Sequence, residues 1–483
     1  MVRQLALNTR VAGALVFVSS GAVLVLEVVG LRLVGPYVGV TLQTSSAVIG
    51  VALAAIAYGA WTGGWLADRR DPRGLLAPLL LLAGAATALT LPIVRAAGSW
   101  LRGTDPTNVL LLALLALFPP AALLSAVTPL VVKLRLGDLR ETGRVVGRLS
   151  GLGTLGGITA TLGTGFVLVA AVPTSVIVLS LGGLLTVCSL LLYWYDRSRR
   201  FLAPGLAAVL LSGVLVVVAP DPCDVETAYH CARVTVDPKR PSGRLLWLNG
   251  AQHSYVDLAD PTHLEFAYAR WIGAYLDTLP PGPLDALHIG GGGFTLPEYL
   301  AATRPGSHSL VLELDAALVG LDRRRLGLRT GPDLVVKAGD ARVNLRRQPD
   351  ASLDVVVGDA FGHLVVPWHL ATRELVEDVH RALRPGGVYA LNVIDRPARR
   401  FIRAEVATVQ AVFPYVALVS TPEAIRGELG ANFVVLGSAA PLASFTPPGA
   451  QVLTGPELDT FVKRASVLTD DFAPVDQLLG SST

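Results

Sequence analysis

The sequence predicts a membrane-embedded α-helical bundle of about seven spans followed by a doubly wound α/β domain. Three observations carry that expectation. Long apolar runs are crowded into residues 11–219. A strand, turn and helix pattern repeats from residue 284 onward. The strands of that repeat end in glycines, acids or an amide, where ligands gather in parallel sheets.

The chain has 483 residues, 52% of them hydrophobic and 16% charged, which is too apolar for a soluble protein of this size. A spanning helix needs roughly 20 apolar residues. Seven stretches qualify: 11–34, 43–66, 74–97, 107–131, 149–171, 174–195 and 201–219. The first holds Glu27 and lacks a cleavage-site pattern, so it is read as a retained helix. Gly59 with Gly63, and Gly153 with Gly157, repeat at the four-residue spacing that lets helices approach closely. A compact anchoring bundle accounts for those glycines without transport, and one acidic residue inside a span gives ion-coupled transport little support. A net charge of +3 likewise gives no support to a nucleic-acid partner.

Basic residues cluster before the first span, at Arg3 and Arg10, and in alternate loops, at Arg69, Arg70 and Arg73, at Lys133, Arg135, Arg140, Arg144 and Arg148, and at Arg197, Arg199 and Arg200. By the positive-inside rule the N-terminus is cytoplasmic, and seven spans would put residues 220–483 outside. Cys223 and Cys231 could pair there in an oxidising compartment, or be buried free thiols in a cytosolic domain. A re-entrant or interfacial 201–219 stretch would return the domain to the cytoplasm.

The expected domains are 1–219, a multi-spanning membrane domain; 220–283, a β-unit with a connecting helix; and 284–483, the nucleoside-binding sheet domain. Within 232–258, short β-type runs alternate with the turn signals Pro-Ser-Gly and Asn-Gly. "PTHLEFAYARWIGAYLDTL" (261–279) has helical period, with Leu264, Tyr268, Trp271, Ile272 and Tyr275 on one face. "LDALHIG", "SLVLELD", "DLVVKAGD", "LDVVVGDA" and "GVYALNVID" are Val- and Leu-rich strands covered on both faces, hence parallel.

Those strands end in Gly290, Gly291, Gly292 and Gly293, in Glu313 and Asp315, in Asp340 with Ala341, in Asp359, and in Asn392. Glycines let a ligand approach the backbone, and the acid about 20 positions further on can accept two ribose hydroxyls. Asp340 with Ala341 could read an adenine edge, and Asp359 lies where a reacting atom would sit. Each acid alone could be a helix cap; the ordered set points to a nucleoside. Four glycines and then Phe294 lack the dinucleotide spacing, which favours a mononucleoside such as S-adenosylmethionine or its decarboxylated form.

"GRLLWLNG", "EFAYARW", "LHIGGGG", "LELD", "AGDAR", "GDAFG" and "LRPGGVYALNV", in that order, resemble the spermidine synthases, or polyamine aminopropyltransferases. The likeness is greater to the bacterial branch fused to a multi-spanning N-terminal domain, and it covers roughly 225–440. It implies a Rossmann-like domain of the methyltransferase and spermidine-synthase type in a multi-pass cell-membrane protein, and a transferase role in polyamine biosynthesis. An aminopropyl group would pass from decarboxylated S-adenosylmethionine to an amine, with no metal and no permanently bound cofactor. The related synthases are commonly homodimers. Such a donor is made in the cytosol, which argues against an outside location.

By the same resemblance Glu313 would hold the ribose, Asp340 the adenine, and Asp359 with Tyr268 would deprotonate the amine. Three positions depart from the family pattern. Gly293 stands where the family has the aspartate that grips the donor's amino group. Gly362 replaces the second aspartate of the catalytic loop, and Ala269 with Arg270 replaces a His-Glu or Gln-Glu pair. Charge-assisted hydrogen bonds are worth roughly 1.5–3 kcal/mol each, so these losses put a diamine acceptor in question. "FGHLVVPWHLATRELVED" (361–378) is a candidate lid carrying His363, Trp368, His369 and Glu374; loop packing is the alternative role for them. Two other functions share this architecture: a non-catalytic nucleoside-binding or sensing module, and an S-adenosylmethionine-dependent methyltransferase.

Overall fold

The computed structural model describes residues 7–39, 41–101, 105–136, 139–196, 203–218, 223–361 and 366–480. The chain divides into two compact units, Met1–His230 and Cys231–Thr483.

Among the described residues of the first unit, six helices are long and apolar enough to cross a membrane: Thr9–Val38, Leu42–Arg69, Arg73–Trp100, Pro106–Arg135, Thr142–Ala171 and Thr174–Tyr195. The seventh predicted stretch holds a 16-residue helix, Ala203–Val218. At 1.5 Å per residue it rises about 24 Å, less than the ~30 Å hydrocarbon core. Helix starts follow the side chains that cap them: the Asn8 oxygen accepts from the Arg10 N–H at 2.9 Å, and Asp105 accepts from the Thr107 N–H at 2.9 Å. The glycine spacing does what it predicts. A Cβ on Gly63 would lie 2.7 Å from Ala126 backbone atoms, and one on Gly59 would run into the Ala122 carbonyl. The unit ends in strand β1 (Val225–Glu226), where the Glu226 carboxylate accepts from the Ser175 hydroxyl at 2.6 Å and its N–H at 3.1 Å. Among the described cysteines Cys188 is free, whereas Cys223 and Cys231 are disulfide-bonded.

The second unit opens with an antiparallel meander of β2 (Cys231–Asp237), β3 (Arg240–Leu248) and β4 (Ala251–Asp257). Asn249 and Gly250 both take positive φ, 52° and 80°, the conformation that an Asn-Gly hairpin turn requires. The other expected turn falls elsewhere. Pro241, Ser242 and Gly243 lie inside β3, and the chain reverses at Asp237–Arg240 beside a register shift. Gly243 is needed there because a Cβ would collide with the Tyr255 hydroxyl. The connecting helix spans Ala267–Leu276, shorter than its apolar period, and buries Trp271, Ile272 and Tyr275.

Eight strands form the main sheet: β5 (Asp285–Ile289), β6 (His308–Glu313), β7 (Leu334–Ala338), β8 (Leu353–Gly358), β9 (Leu383–Asp395), β10 (Tyr415–Ser420), β11 (Ala431–Ser438) and β12 (Gln451–Thr454). Their order is β12-β10-β11-β9-β8-β5-β6-β7. The five expected strands, β5 to β9, are parallel neighbours. The last three pair antiparallel and extend the sheet beyond β9. Side chains alternate as strand geometry demands. Val355 and Val357 pack with the 267–276 and 295–303 helices, while Val356 faces the opposite core with Leu375, Phe401 and Phe461. Helices therefore cover both faces, which leaves the strand ends as the open part of the sheet.

Candidate functional site

From β5 the chain steps outward to β6 and β7, then returns to place β8 on the other side of β5. That reversal opens a crevice at the carboxyl ends of β5 and β8, where an open α/β sheet binds ligands. Gly290 leaves β5 with φ +94°, and a Cβ there would sit 2.5 Å from the Asp359 carbonyl oxygen. Only glycine allows the two strand ends to touch in this way.

The amides of the glycine loop are already committed. The Gly290 N–H donates to the Leu312 carbonyl at 2.9 Å, Gly291 to Glu313 Oε2 at 2.7 Å, Gly293 to Ser254 Oγ at 2.9 Å and Phe294 to the Gly291 carbonyl at 2.8 Å. Gly292 also donates to Glu313. A phosphate cradle needs such N–H groups pointing at the ligand. Their use inside the protein fits the expectation of a nucleoside without pyrophosphate.

Phe294 is fully buried in a left-handed conformation, φ 60°, with Val311, Val319 and Leu328 around it. Its ring closes the floor: a Cβ on Gly291 would meet Phe294 Cζ at 2.9 Å. A Cβ on Gly293 would lie 2.8 Å from Ser254 Cβ and 3.2 Å from Val256 Cγ2. An aspartate at position 293 would therefore require Ser254 and Val256 of β4 to shift.

Glu313 ends β6, buried beneath this loop, and its Oε1 also accepts from the Asp315 N–H at 2.8 Å. Burial pushes its carboxyl pKa up, against those backbone donors. Asp340 ends the loop after β7 and accepts from the Val343 N–H at 2.9 Å as the cap of the helix Ala341–Leu345. Its other oxygen lies 3.4 Å from His369 Nε2. One predicted lid histidine thus meets a predicted adenine-reading acid.

Asp359 follows β8 and is held from two directions. The Tyr268 hydroxyl, from the connecting helix, donates to Oδ2 at 2.9 Å, and Asn392 Nδ2, from β9, donates to Oδ1 at 2.8 Å. Asn432 Nδ2, from β11, donates in turn to Asn392 Oδ1 at 3.0 Å. Burial pushes the Asp359 carboxyl up to about 6, while the bonds from Asn392 and Tyr268 hold it down. Burial, with the Asp359 charge, pushes the Tyr268 phenol far above its usual range. The carboxyl opens on a cavity of about 270 Å³ that Gln252 and His253 from β4 also line. A partly ionised carboxylate with a phenol beside it can accept a proton from an amine at neutral pH.

The structure thus brings together Asp359 with Tyr268, and Gly290, Gly291 and Gly292 with Glu313. Asp340 and Ala341 lie one strand further out. Trp368 is 52% exposed, and Glu374 turns to the C-terminal segment, accepting from the Asp470 N–H at 3.0 Å; neither lines the cavity. His363 and Gly362 lie outside the described residues. Sequence reading assigned no role to Gln252, His253 or Asn432, and named Asn392 only as a strand end.

No family model matches the chain. Over 233 residues it is 30% identical to a polyamine aminopropyltransferase of Vibrio vulnificus, covering 44% of this chain and 75% of that protein. It is 35% identical over 150 residues to polyamine aminopropyltransferase 2 of Pseudomonas aeruginosa, covering 28% of this chain and 41% of that one. Among solved structures, a probable spermidine synthase from Corynebacterium glutamicum is similar at 28% identity and TM-score 0.48, over 54% of this chain and 96% of that chain. With three-quarters of the Vibrio protein matched at that identity, the chain belongs to the polyamine aminopropyltransferase family.

Proposed function

We propose that this chain is a membrane-anchored transferase that binds an adenosyl sulfonium donor at the glycine floor and passes the donor's alkyl group to an amine. The observation that carries the reading is the joining of Tyr268, Asp359 and Asn392 at a cavity directly beside Gly290. In this reading Glu313 holds the ribose, Asp340 and Ala341 read the adenine, and Asp359 takes the amine proton. The amine nitrogen then bonds to the carbon beside the sulfonium. The carbon–sulfur bond breaks with its electron pair on sulfur, and methylthioadenosine leaves. Decarboxylated S-adenosylmethionine is the donor that the relatives' names favour; the enclosed Gly293 leaves S-adenosylmethionine as the second candidate.

Calorimetric titration of the purified protein with S-adenosylmethionine, its decarboxylated form and methylthioadenosine tests this. Binding of at least one is expected, and binding of none sinks the reading. Binding without turnover would leave a nucleoside-sensing module, and methyl transfer would make the chain a methyltransferase.

The six apolar helices support membrane anchoring. Six crossings would return the C-terminal region to the side of the N-terminus, where adenosyl donors are made, whereas the Cys223–Cys231 disulfide favours an oxidising compartment. An engineered cysteine in the C-terminal tail, probed in intact cells with an impermeant reagent, separates the two. Labelling there would make a cytosolic donor untenable.

A further inference from the structure

The cavity beside Asp359 is chemically lopsided. Among its described lining residues Asp359 is the only carboxylate, and no lysine or arginine faces it. Tyr268 and Asn392 supply neutral donors to both its oxygens, so its charge is met there by dipoles and not by a lysine or arginine among the described lining residues. Such a site favours one positive charge. The rest of the lining includes the apolar side chains Phe266, Phe361 and Ile394 and the uncharged amides of Gln252 and Asn432, with His253. Phe361 is fixed edge-on to His253, ring centroids 6.3 Å apart.

Resting on the transferase reading, we propose that the acceptor is an amine with a single ammonium and an uncharged remainder, not a diamine. The first ammonium pairs with Asp359 and yields its proton there. A second ammonium would give up part of its water in a pocket of about 270 Å³ with no second anion among the described lining residues to meet it, and a desolvated charge without a counter-charge is disfavoured. Phenyl faces attract cations, but less than a carboxylate does.

The test compares n-butylamine with putrescine, which differ only by the second amino group. Full-length protein in detergent is saturated with decarboxylated S-adenosylmethionine, and methylthioadenosine release gives kcat/KM for each amine at pH 8. The proposal expects at least a tenfold preference for n-butylamine. Equal or greater efficiency with putrescine overturns it. So does failure of both amines when methylthioadenosine still binds, and that outcome leaves the donor site standing. Loss of methylthioadenosine binding itself overturns the transferase reading, and this inference with it. Gln252→Glu adds a second carboxylate to the wall and is expected to shift the ratio at least tenfold toward putrescine; an unchanged ratio counts against the proposal.

Discussion

Glu313 and Asp359 end two strands that flank β5, and both are acids whose pKa is raised by burial. They differ in what satisfies them. Glu313 is enclosed and takes backbone N–H groups from Gly291, Gly292 and Asp315. Asp359 takes two side chains, Tyr268 and Asn392, and faces a cavity. Backbone donors cannot move without unmaking the loop, so Glu313 is part of the floor. Side-chain donors leave Asp359 able to gain and lose a proton where a substrate can reach it. The glycine loop is thus fixed by its own backbone bonds while the carboxylate after β8 faces a cavity, and the proposed function gives nucleoside binding to the first and proton transfer to the second.

That contrast can be broken at several points. Asp359→Asn removes the base and leaves the floor intact. Amine-dependent methylthioadenosine release should fall by about 10²–10⁴-fold, while calorimetry finds methylthioadenosine still bound. Glu313→Gln should do the reverse. With the acceptor oxygens of the carboxylate reduced to one, nucleoside affinity should weaken by about ten- to a hundredfold, and the pH dependence of turnover should keep its shape.

Gly293→Asp tests whether the lost donor-gripping acid can be restored. With Ser254 Cβ 2.8 Å from the new Cβ, thermal unfolding should show destabilisation of about 1–3 kcal/mol, and pairing the change with Ser254→Gly should recover part of it. A Gly293→Asp protein as stable as the wild type would mean that β4 yields. The smallest effect is on pH. Because Asp359 must be ionised to act, kcat/KM should rise with pH through about 6. Asn392→Leu removes a bond that holds the pKa down, so the rise should move to higher pH. The folded pKa lies above the ordinary 3.8, so the favourable contribution of Asp359 to stability is full below about 3.8. It is lost as pH rises through about 6.

The parallel strands β5 to β9 were legible because strands covered on both faces read as Val- and Leu-rich runs, and their polar endings named Glu313, Asp340 and Asp359. Tyr268 was legible only through resemblance, since helical period alone put it on the same face as Trp271 and Tyr275. The rest of the site depends on long-range pairing. Asn432 reaches Asn392 because β11 returns antiparallel beside β9, in a register that pairs Asn432 with Ile394, and nothing local in "GANFVVLGS" fixes that. A polar residue inside an apolar strand was the available signal. Glu374 looked like a lid residue because its partner, the Asp470 backbone, lies 96 positions on. Ser254 and Val256 approach Gly293 from another sheet, so the sequence could show that an aspartate was missing but not that they would have to shift to admit one.

The most direct measurement is methylthioadenosine release from decarboxylated S-adenosylmethionine by full-length protein, with and without an amine, for wild type and Asp359→Asn across pH 5–9. The account predicts amine-dependent release that rises through about pH 6 and is lost in Asp359→Asn. Release that is absent from the wild type, or that survives unchanged in Asp359→Asn, would contradict it.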